Sequence, residues 1–133
     1  MVEYRGVAPW VVIEDEGAHV QARRCSRCEA MLTRPSLACP SCGAREGLAP
    51  VRVADRGVLH SYSIVHRSFP GVTTPFISAV VDMEDGTVLK GNLRGVAFDP
   101  EAIRFGMPVR LVFDEAGVDA KGDRYLSYFF EAA

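Results

Sequence analysis

The stretch RCSRCEAMLTRPSLACPSCG, residues 24–43, contains all four cysteines of the 133-residue chain. They form two Cys-x-x-Cys pairs separated by ten residues, Cys25/Cys28 and Cys39/Cys42. Each pair predicts a tight turn whose backbone amides point at the sulfurs, and two such turns can offer four thiolates to one tetrahedral ion. Gly43 directly follows the second pair, where a turn of this kind often needs a positive φ angle.

The spacing therefore predicts a metal site made of Cys25, Cys28, Cys39 and Cys42. Zinc suits such a site best because it has no redox chemistry and accepts four sulfurs, and iron in a rubredoxin-like site is the alternative. Four protein ligands leave no position for water or substrate, so we expect a structural ion that holds together a segment too small for its own core. Two local disulfides or free thiols are the other interpretation, which a reducing compartment disfavours.

The overall composition is that of an ordinary globular protein, with 48% apolar residues, 24% charged residues and a formal net charge of −2. It argues against a strongly basic nucleic-acid binder and against intrinsic disorder. The N-terminus has no secretory signal pattern, and no apolar run approaches the roughly 20 residues of a membrane-spanning helix. We therefore expect a cytoplasmic protein without membrane contact, whose thiols stay reduced.

From residue 57 the pattern predicts five β-strands, over residues 57–67, 76–84, 87–95, 107–114 and 124–131. Asp99-Pro100 opens a short helical turn between the third and fourth strands, as a cap and a first helical position. Five strands with this helical element are in the order of an OB-fold barrel, whose first strand bends to serve both sheets. Another small barrel or a sandwich is the structural alternative.

The fold class is thus mostly β, a rubredoxin-like zinc ribbon followed by a five-stranded OB-fold barrel. We predict a lead segment over residues 1–19, the zinc ribbon over 20–50 and the barrel over 51–133. Residues 19–24 are expected to form the first ribbon strand and residues 51–55 an extended connection. Residues 9–17 suggest one short helix or strand followed by a turn.

Alternation along the first barrel strand predicts two faces, with Val58, Tyr62 and Ile64 on one and Leu59 and Val65 on the other. His60 and His66 fall on the face of Tyr62. These histidines are either a polar strip beside a ligand channel or part of a solvated sheet face, and the solvated face is the more common case. No serine, cysteine or carboxylate has the spacing of a nucleophile with its base.

Three stretches of the chain resemble the acyl-CoA-associated zinc-ribbon/OB-fold proteins known as domain-of-unknown-function family 35. They are residues 24–43, residues 57–76 (GVLHSYSIVHRSFPGVTTPF) and residues 105–113 (FGMPVRLVF). The positions that fit the strand-opening motifs of that family are Gly57, Tyr62, Ser63, Val65, Pro75, Phe76, Gly106, Met107 and Val109. The resemblance covers roughly residues 20–131. Members of that family usually begin with a longer amphipathic helix, which residues 11–17 do not predict here.

The resemblance implies a non-catalytic accessory subunit. Members of that family assemble with thiolase-like or ketosynthase-like enzymes, and some with hydratase-like or aldolase-like proteins, in hetero-oligomers. They are thought to bind or channel acyl-CoA and to support the assembly or activity of the partner. We therefore expect no catalysis by the chain alone and an acyl-CoA enzyme as its partner.

Charge is unevenly distributed along the chain. Residues 20–60 contain seven arginines against three acidic residues, a formal charge of +4, and the remaining residues sum to −6. Arginine suits bidentate contact with phosphates or carboxylates. Arg24, Arg27 and Arg34 are therefore candidates for contact with the phosphates of CoA or with an acidic partner, and a solvated basic face is the equal alternative.

The loop between the first two barrel strands, HRSFPGVTTP at residues 66–75, is the second candidate contact region. Phe69 at its tip either contacts a partner or folds over the end of the barrel. The candidate residues of the barrel for contact with a ligand or partner are therefore Phe69, Tyr62, His66 and Pro75. A single-stranded nucleic-acid binder is the alternative function, because OB-folds and zinc ribbons both occur in that role.

Overall fold

The computed structural model describes residues 4–34 and 36–133. Their regular structure is β apart from one 3-10 helix, Pro100–Ala102. The strands are β1 Tyr4–Gly6, β2 Val11–Glu14, β3 Gly17–Cys25, β4 Met31–Leu32, β5 Leu48–Arg52, β6 Arg56–Val65, β7 Phe76–Met83, β8 Val88–Arg94, β9 Pro108–Val118 and β10 Arg124–Ala132. No helix in the described part of the chain is long and apolar enough to cross a membrane.

The chain forms two compact units, and the first contains residues up to Val53 together with Asp85–Thr87 and Phe113–Ser127. Strand β3 organises this unit: β2 pairs antiparallel with its first half, and β4 and β5 pair antiparallel with its second half. The ribbon strand predicted over residues 19–24 is confirmed as part of β3. The segment before it is a strand and a turn, and β1 pairs in parallel with the start of β10, which the sequence did not indicate.

The second unit contains Ala54–Glu84, Val88–Val112 and Tyr128–Ala133. Strands β6, β7 and β8 form an antiparallel meander, and the end of β10 lies parallel to β8. The start of β6 also pairs with β9, so this strand has a pairing partner on each edge. All five predicted barrel strands are confirmed, and so is the helical turn, where the Asp99 carboxylate accepts from the Glu101 amide at 2.9 Å.

A β-bulge in β6 changes which residues share a face. The register shifts between Leu59, opposite Val81, and Ser61, opposite Val80, so His60 is the extra residue. The alternation restarts after the bulge and puts Leu59, Tyr62 and Ile64 opposite the buried residues Val81, Ala79 and Ile77.

The predicted faces of the first barrel strand are therefore wrong. Val58 lies on the outer face and is 43% exposed, and Tyr62 shares the face of Leu59 rather than that of Val58. His66 lies beyond the end of β6 at Val65, so the predicted strip of two histidines on one strand face is also wrong. His60 instead faces β7, with its Nδ1 atom 2.9 Å from the Asp82 carboxylate.

The two units have separate sets of buried apolar residues. In the second unit these come from every barrel strand: Leu59, Ile77, Ala79, Val81, Met83, Leu89, Leu93, Val109 and Phe130, with Ile103 from the helical turn. In the first unit they are Val11, Val20, Ala22, Cys25, Leu32, Cys39, Ala44 and Val53. Large aliphatic side chains are fewer in the first unit, and two of its buried positions are cysteines.

Candidate metal centre and ligand clefts

The four cysteines of the first unit converge on one point. Their Sγ atoms all lie within 4.8 Å of one another, with Cys25 and Cys42 3.7 Å apart and Cys28 and Cys39 3.5 Å apart. A tetrahedral ion with metal–sulfur bonds of about 2.3 Å requires sulfur atoms about 3.8 Å apart. A disulfide needs about 2.05 Å. The sulfur cluster therefore has the size of a four-cysteine metal site, and the four cysteines can hold a metal ion.

The two turns that carry the cysteines repeat each other's backbone geometry. The Cys25 amide donates to the Ala30 carbonyl at 2.9 Å, and the Cys39 amide donates to the Ala44 carbonyl at 2.8 Å. The residue after each pair has a left-handed backbone, Glu29 with φ of 65° and Gly43 with φ of 79°. The positive φ expected at Gly43 is confirmed, whereas Glu29 adopts the same conformation without the freedom of glycine.

Backbone amides within the turns shift the pKa values of the cysteine thiols. The Cys28 amide is the main cause that lowers the pKa of Cys25 to about 7, and the Cys42 amide similarly lowers the pKa of Cys39. At Cys42 the Ala44 amide lowers the pKa, but desolvation and the three neighbouring thiols outweigh it and raise the pKa to about 11. Four thiolates at this spacing repel one another, and a divalent cation removes that repulsion.

The core around the sulfurs is small. Cys25, Leu32, Cys39 and Ala44 are buried together, and among residues 4–34 and 36–133 the partly buried apolar residues packed against them are Ala30 and Leu48. Such a cluster is too small to stabilise the surrounding loops by hydrophobic burial, because ordering each residue costs about 1–2 kcal/mol of backbone entropy. The geometry of the donor set fits both zinc and rubredoxin-like iron, since both accept four thiolates in a tetrahedron.

The three candidate arginines have different surroundings. Arg24 is exposed and pairs with Glu29, Nη2 to Oε1 at 3.2 Å. Arg27 lines an open cleft of about 640 Å³ with Arg45, Ser26 and neighbours of the second cysteine turn. Arg34 lies elsewhere in the unit, in the cleft described next, so the structure does not bring the three together.

A second cleft of the first unit, about 290 Å³ in volume, is the Trp10 cleft. It is lined by Pro9, Trp10, Gln21, Ala22, Arg23, Leu32, Thr33 and Arg34. The Trp10 carbonyl accepts from the Gln21 amide at 2.7 Å, which fixes the start of β2 against β3. Sequence reasoning missed this cleft, although a single tryptophan directly before an apolar strand was a visible signal.

The candidate ligand or partner residues of the second unit do not form one site. The half-buried Tyr62 ring packs against Phe105, with ring centroids 5.6 Å apart, although Phe105 itself is 73% exposed. Phe69 is 83% exposed and so does not plug the barrel core. His66 is exposed in the same loop, and Pro75 is half-buried directly before β7. Sequence reasoning missed Phe105, which shares no motif spacing with Tyr62.

Comparison with known proteins assigns the chain to a family. Residues 50–114 match the family model described as "ChsH2, C-terminal OB-fold domain". The solved structure titled "Ltp2-ChsH2(DUF35) aldolase" is 30% identical and has a TM-score of 0.67, with coverage of 86% of this chain and 84% of that chain. The chain belongs to the DUF35/ChsH2 OB-fold family. The resemblance drawn from the motifs and the mostly β OB-fold class are both confirmed.

Two curated relatives of this chain differ in length. A probable enoyl-CoA hydratase alpha subunit of Thermomonospora curvata is 36% identical over 95 residues, which are 71% of this chain but 29% of that protein. A DUF35 domain-containing scaffold protein of Methanothermobacter thermautotrophicus is 26% identical over 111 residues, 81% of this chain and 80% of that protein. This chain therefore spans less than a third of the hydratase subunit and most of the scaffold protein.

A further DUF35 structure supports the fold alone. The protein of unknown function from Sulfolobus solfataricus is 14% identical, with a TM-score of 0.52 and coverage of 86% of this chain and 76% of that chain.

Proposed function

We propose that this DUF35 protein is a non-catalytic accessory subunit that binds or channels acyl-CoA and supports a partner enzyme. The partner is of the hydratase/aldolase or thiolase/ketosynthase type, and the two form a hetero-oligomer in the cytoplasm. The observation that carries the proposal is the set of relatives. One is a hydratase alpha subunit and one a scaffold protein, and the similar structure is an aldolase whose title names a DUF35 component.

The chemistry of the chain supports an accessory role. The four cysteines form the only group of three or more metal-ligating side chains found in the described residues, and they can all serve one ion. The closest histidine–carboxylate pair there, His60 with Asp82, is exposed on an outer strand face, with both side chains about half in solvent or more. The features left for function are surfaces, namely the basic ribbon and the exposed loop containing Phe69.

The proposed ion is zinc, held by Cys25, Cys28, Cys39 and Cys42. Bound there, it supplies a structural cross-link between the two cysteine turns. The ribbon of residues 20–50 and the barrel of residues 51–133 then form two modules of one accessory subunit, preceded by a lead segment over residues 1–19. The cysteine turns are the part of the chain whose order depends on the ion.

The metal site is tested by removing one sulfur and, separately, the ion. We expect purified wild-type protein to contain one equivalent of zinc by elemental analysis, and Cys39→Ser to contain much less. In amide NMR spectra of Cys39→Ser, signals of residues 25–47 should collapse into the disordered region while those of β6–β8 persist. Ser41→Ala, in the same turn, is the matched control because it keeps all four sulfurs. Stoichiometric iron would reject zinc, and native protein without metal would reject the site.

The accessory role is tested by co-expression with the hydratase-, aldolase- or thiolase-like enzymes encoded beside this chain. We expect one of them to form a complex of defined mass and to gain turnover of its CoA ester when the chain is present. Phe69→Ala should weaken that complex, because the Phe69 side chain is 83% exposed in the loop proposed as a contact surface. Phe98→Ala, another exposed phenylalanine outside that loop, serves as the control.

Two results would contradict the proposal. One is a set of neighbouring enzymes whose assembly and turnover are the same with and without the chain. The other is turnover of CoA esters by the purified chain alone, because an accessory subunit needs its partner for chemistry.

A further inference from the structure

The Trp10 cleft combines an aromatic residue with cationic and polar groups. Trp10 and Pro9 come from the segment before β2, Gln21 and Arg23 from β3, and Thr33 and Arg34 from the chain after β4. Five of its eight lining residues can offer side-chain hydrogen bonds or charge: Gln21, Arg23, Thr33, Arg34 and, through its indole N–H, Trp10. The other three are apolar.

The two arginines of the cleft differ in how far they are already engaged. The Arg23 Nη2 donates to the Ser36 carbonyl at 2.8 Å, which fixes the guanidinium in place. Arg34 is exposed, and its guanidinium has no ion pair within residues 4–34 and 36–133. One arginine is thus positioned by the fold and the other is available to an incoming anion.

The charge of the surrounding segment also favours an anion. Residues 20–60 have a formal charge of +4. A divalent ion bound by four thiolates contributes −2, so the segment keeps a formal charge of +2 with the metal site filled. An anionic ligand that approaches this part of the molecule is therefore attracted even when the sulfur site holds its ion.

The size of the cleft limits what can enter it. Its volume of about 290 Å³ lies just below the roughly 300–1,000 Å³ of small-molecule sites. This space suits a fragment such as a purine with its sugar phosphate rather than an entire CoA ester. Aromatic side chains accept the faces of bases, and arginines accept phosphates through paired hydrogen bonds.

We propose that the Trp10 cleft binds the adenine nucleotide end of CoA, the base against Trp10 and Pro9 and the phosphates at Arg34 and Arg23. The assignment rests on the proposed acyl-CoA function and adds a specific subsite to it. The pantetheine arm and its acyl group then extend out of the cleft, free to reach an active site on the partner enzyme.

The chain provides its own probe, because Trp10 is its single tryptophan. We would titrate metal-loaded protein with adenosine 3′,5′-bisphosphate, the nucleotide end of CoA without its arm, and follow tryptophan fluorescence together with calorimetry. We expect the bisphosphate to quench Trp10 fluorescence to saturation, with a Kd equal to the one measured by calorimetry. CoA should compete with the bisphosphate, whereas pantetheine, which lacks the nucleotide, should not change the signal.

Arg34→Gln is expected to weaken bisphosphate binding about tenfold, the effect of losing one charge-assisted hydrogen bond to phosphate. Arg45→Gln is the matched control, because Arg45 is also exposed in the first unit but lines the other cleft. It removes the same charge and should change the Kd less than twofold. Unchanged fluorescence spectra of both variants without ligand verify that the cleft is intact.

Several outcomes would overturn the subsite. Equal weakening by the two substitutions would indicate diffuse electrostatic attraction. Adenosine 5′-monophosphate or a single-stranded oligonucleotide that binds more tightly than CoA would assign the cleft to another ligand. Tight binding of a CoA ester with no bisphosphate binding and no change at Trp10 would reject the subsite but keep the proposed function. Absence of any CoA binding, alone or with the partner, would reject both.

Discussion

Gly57, the glycine that opens the first barrel strand, is expected to lose stability when it is replaced by any residue with a side chain. It lies opposite Met83 in the ladder between β6 and β7 and is buried. A Cβ atom added there would lie 2.5 Å from the Asp82 carbonyl oxygen and 2.9 Å from the Met83 Cα. Ordinary contact begins at 3.4 Å, so the two backbones would have to separate by 0.9 Å (3.4 − 2.5) at this point.

The cost of Gly57→Ala follows from this overlap. Overpacking of a well-packed site typically costs about 1–3 kcal/mol. Alanine offsets roughly 0.4–1 kcal/mol of this cost, because it reduces the conformational entropy of the unfolded chain. Because the closest overlap is with a backbone atom rather than with a flexible side chain, the packing cost lies in the upper part of its range, about 2–3 kcal/mol. With an offset of about 1 kcal/mol from alanine, the net destabilisation is about 1–2 kcal/mol. With an unfolding entropy of about 2.1 cal/mol/K per residue over the whole chain, Tm should fall by about 4–7 °C.

Thermal unfolding followed by circular dichroism measures this effect in metal-loaded protein. Val58→Ala, one residue further along β6, is the control, because Val58 is 43% exposed on the outer face. Its effect should stay within about 0.5 kcal/mol. A Gly57→Ala protein with the Tm of wild type would refute the close approach of β6 and β7, and with it the physical reason for glycine in the family motif.

Two further predictions concern strain and acid stability. Glu29→Gly should stabilise the metal-loaded protein by up to about 1 kcal/mol in thermal unfolding, because glycine adopts the left-handed backbone without cost. The exposed ion pair with Arg24, which this substitution removes, contributes little to stability. A lower Tm would show that Glu29 is not strained. The Asp119 carboxylate accepts from the Asp123 amide at 2.9 Å and from the Tyr125 hydroxyl at 3.0 Å, and although desolvation raises its pKa, these hydrogen bonds lower it below the usual value. Its contribution to stability is therefore complete above the ordinary aspartate pKa of about 3.9 and is lost as pH falls through the lower folded pKa. Asp119→Asn should flatten the fall of Tm below about pH 4, and identical pH profiles of the two proteins would disprove this role.

The local structures that depend on residues close together in the sequence could be predicted. The two cysteine turns are set by hydrogen bonds within a few residues of each cysteine, so Cys-x-x-Cys spacing was enough to place four sulfurs at one point. The barrel strands were equally visible, because alternating apolar residues and turn glycines mark strand ends locally. The helical turn followed from Asp99-Pro100, a cap and first position that need no distant partner.

The errors and omissions all involve residues that are distant in the chain and meet in the fold. The bulge at His60 arises where β6 pairs with β7, and no residue pattern within β6 predicted it. It placed Val58 and Tyr62 on opposite faces of β6, although alternation predicts them on one face, and it removed the predicted histidine strip. The contact between Tyr62 and Phe105 likewise joins positions more than forty residues apart, for which the sequence has no local signal.

The sequence by itself determined the sulfur cluster, the five barrel strands in their order along the chain, and the family, because each of these depends on the spacing of residues close together in the chain. Tertiary structure alone decided which side chains share a surface. It separated Arg34 from Arg27, left Phe69 exposed and placed Trp10 beside Arg23 and Arg34 from three different segments. The physical reason is that a cleft is formed by strand pairing and register, and a register shift of one residue moves every later side chain to the opposite face.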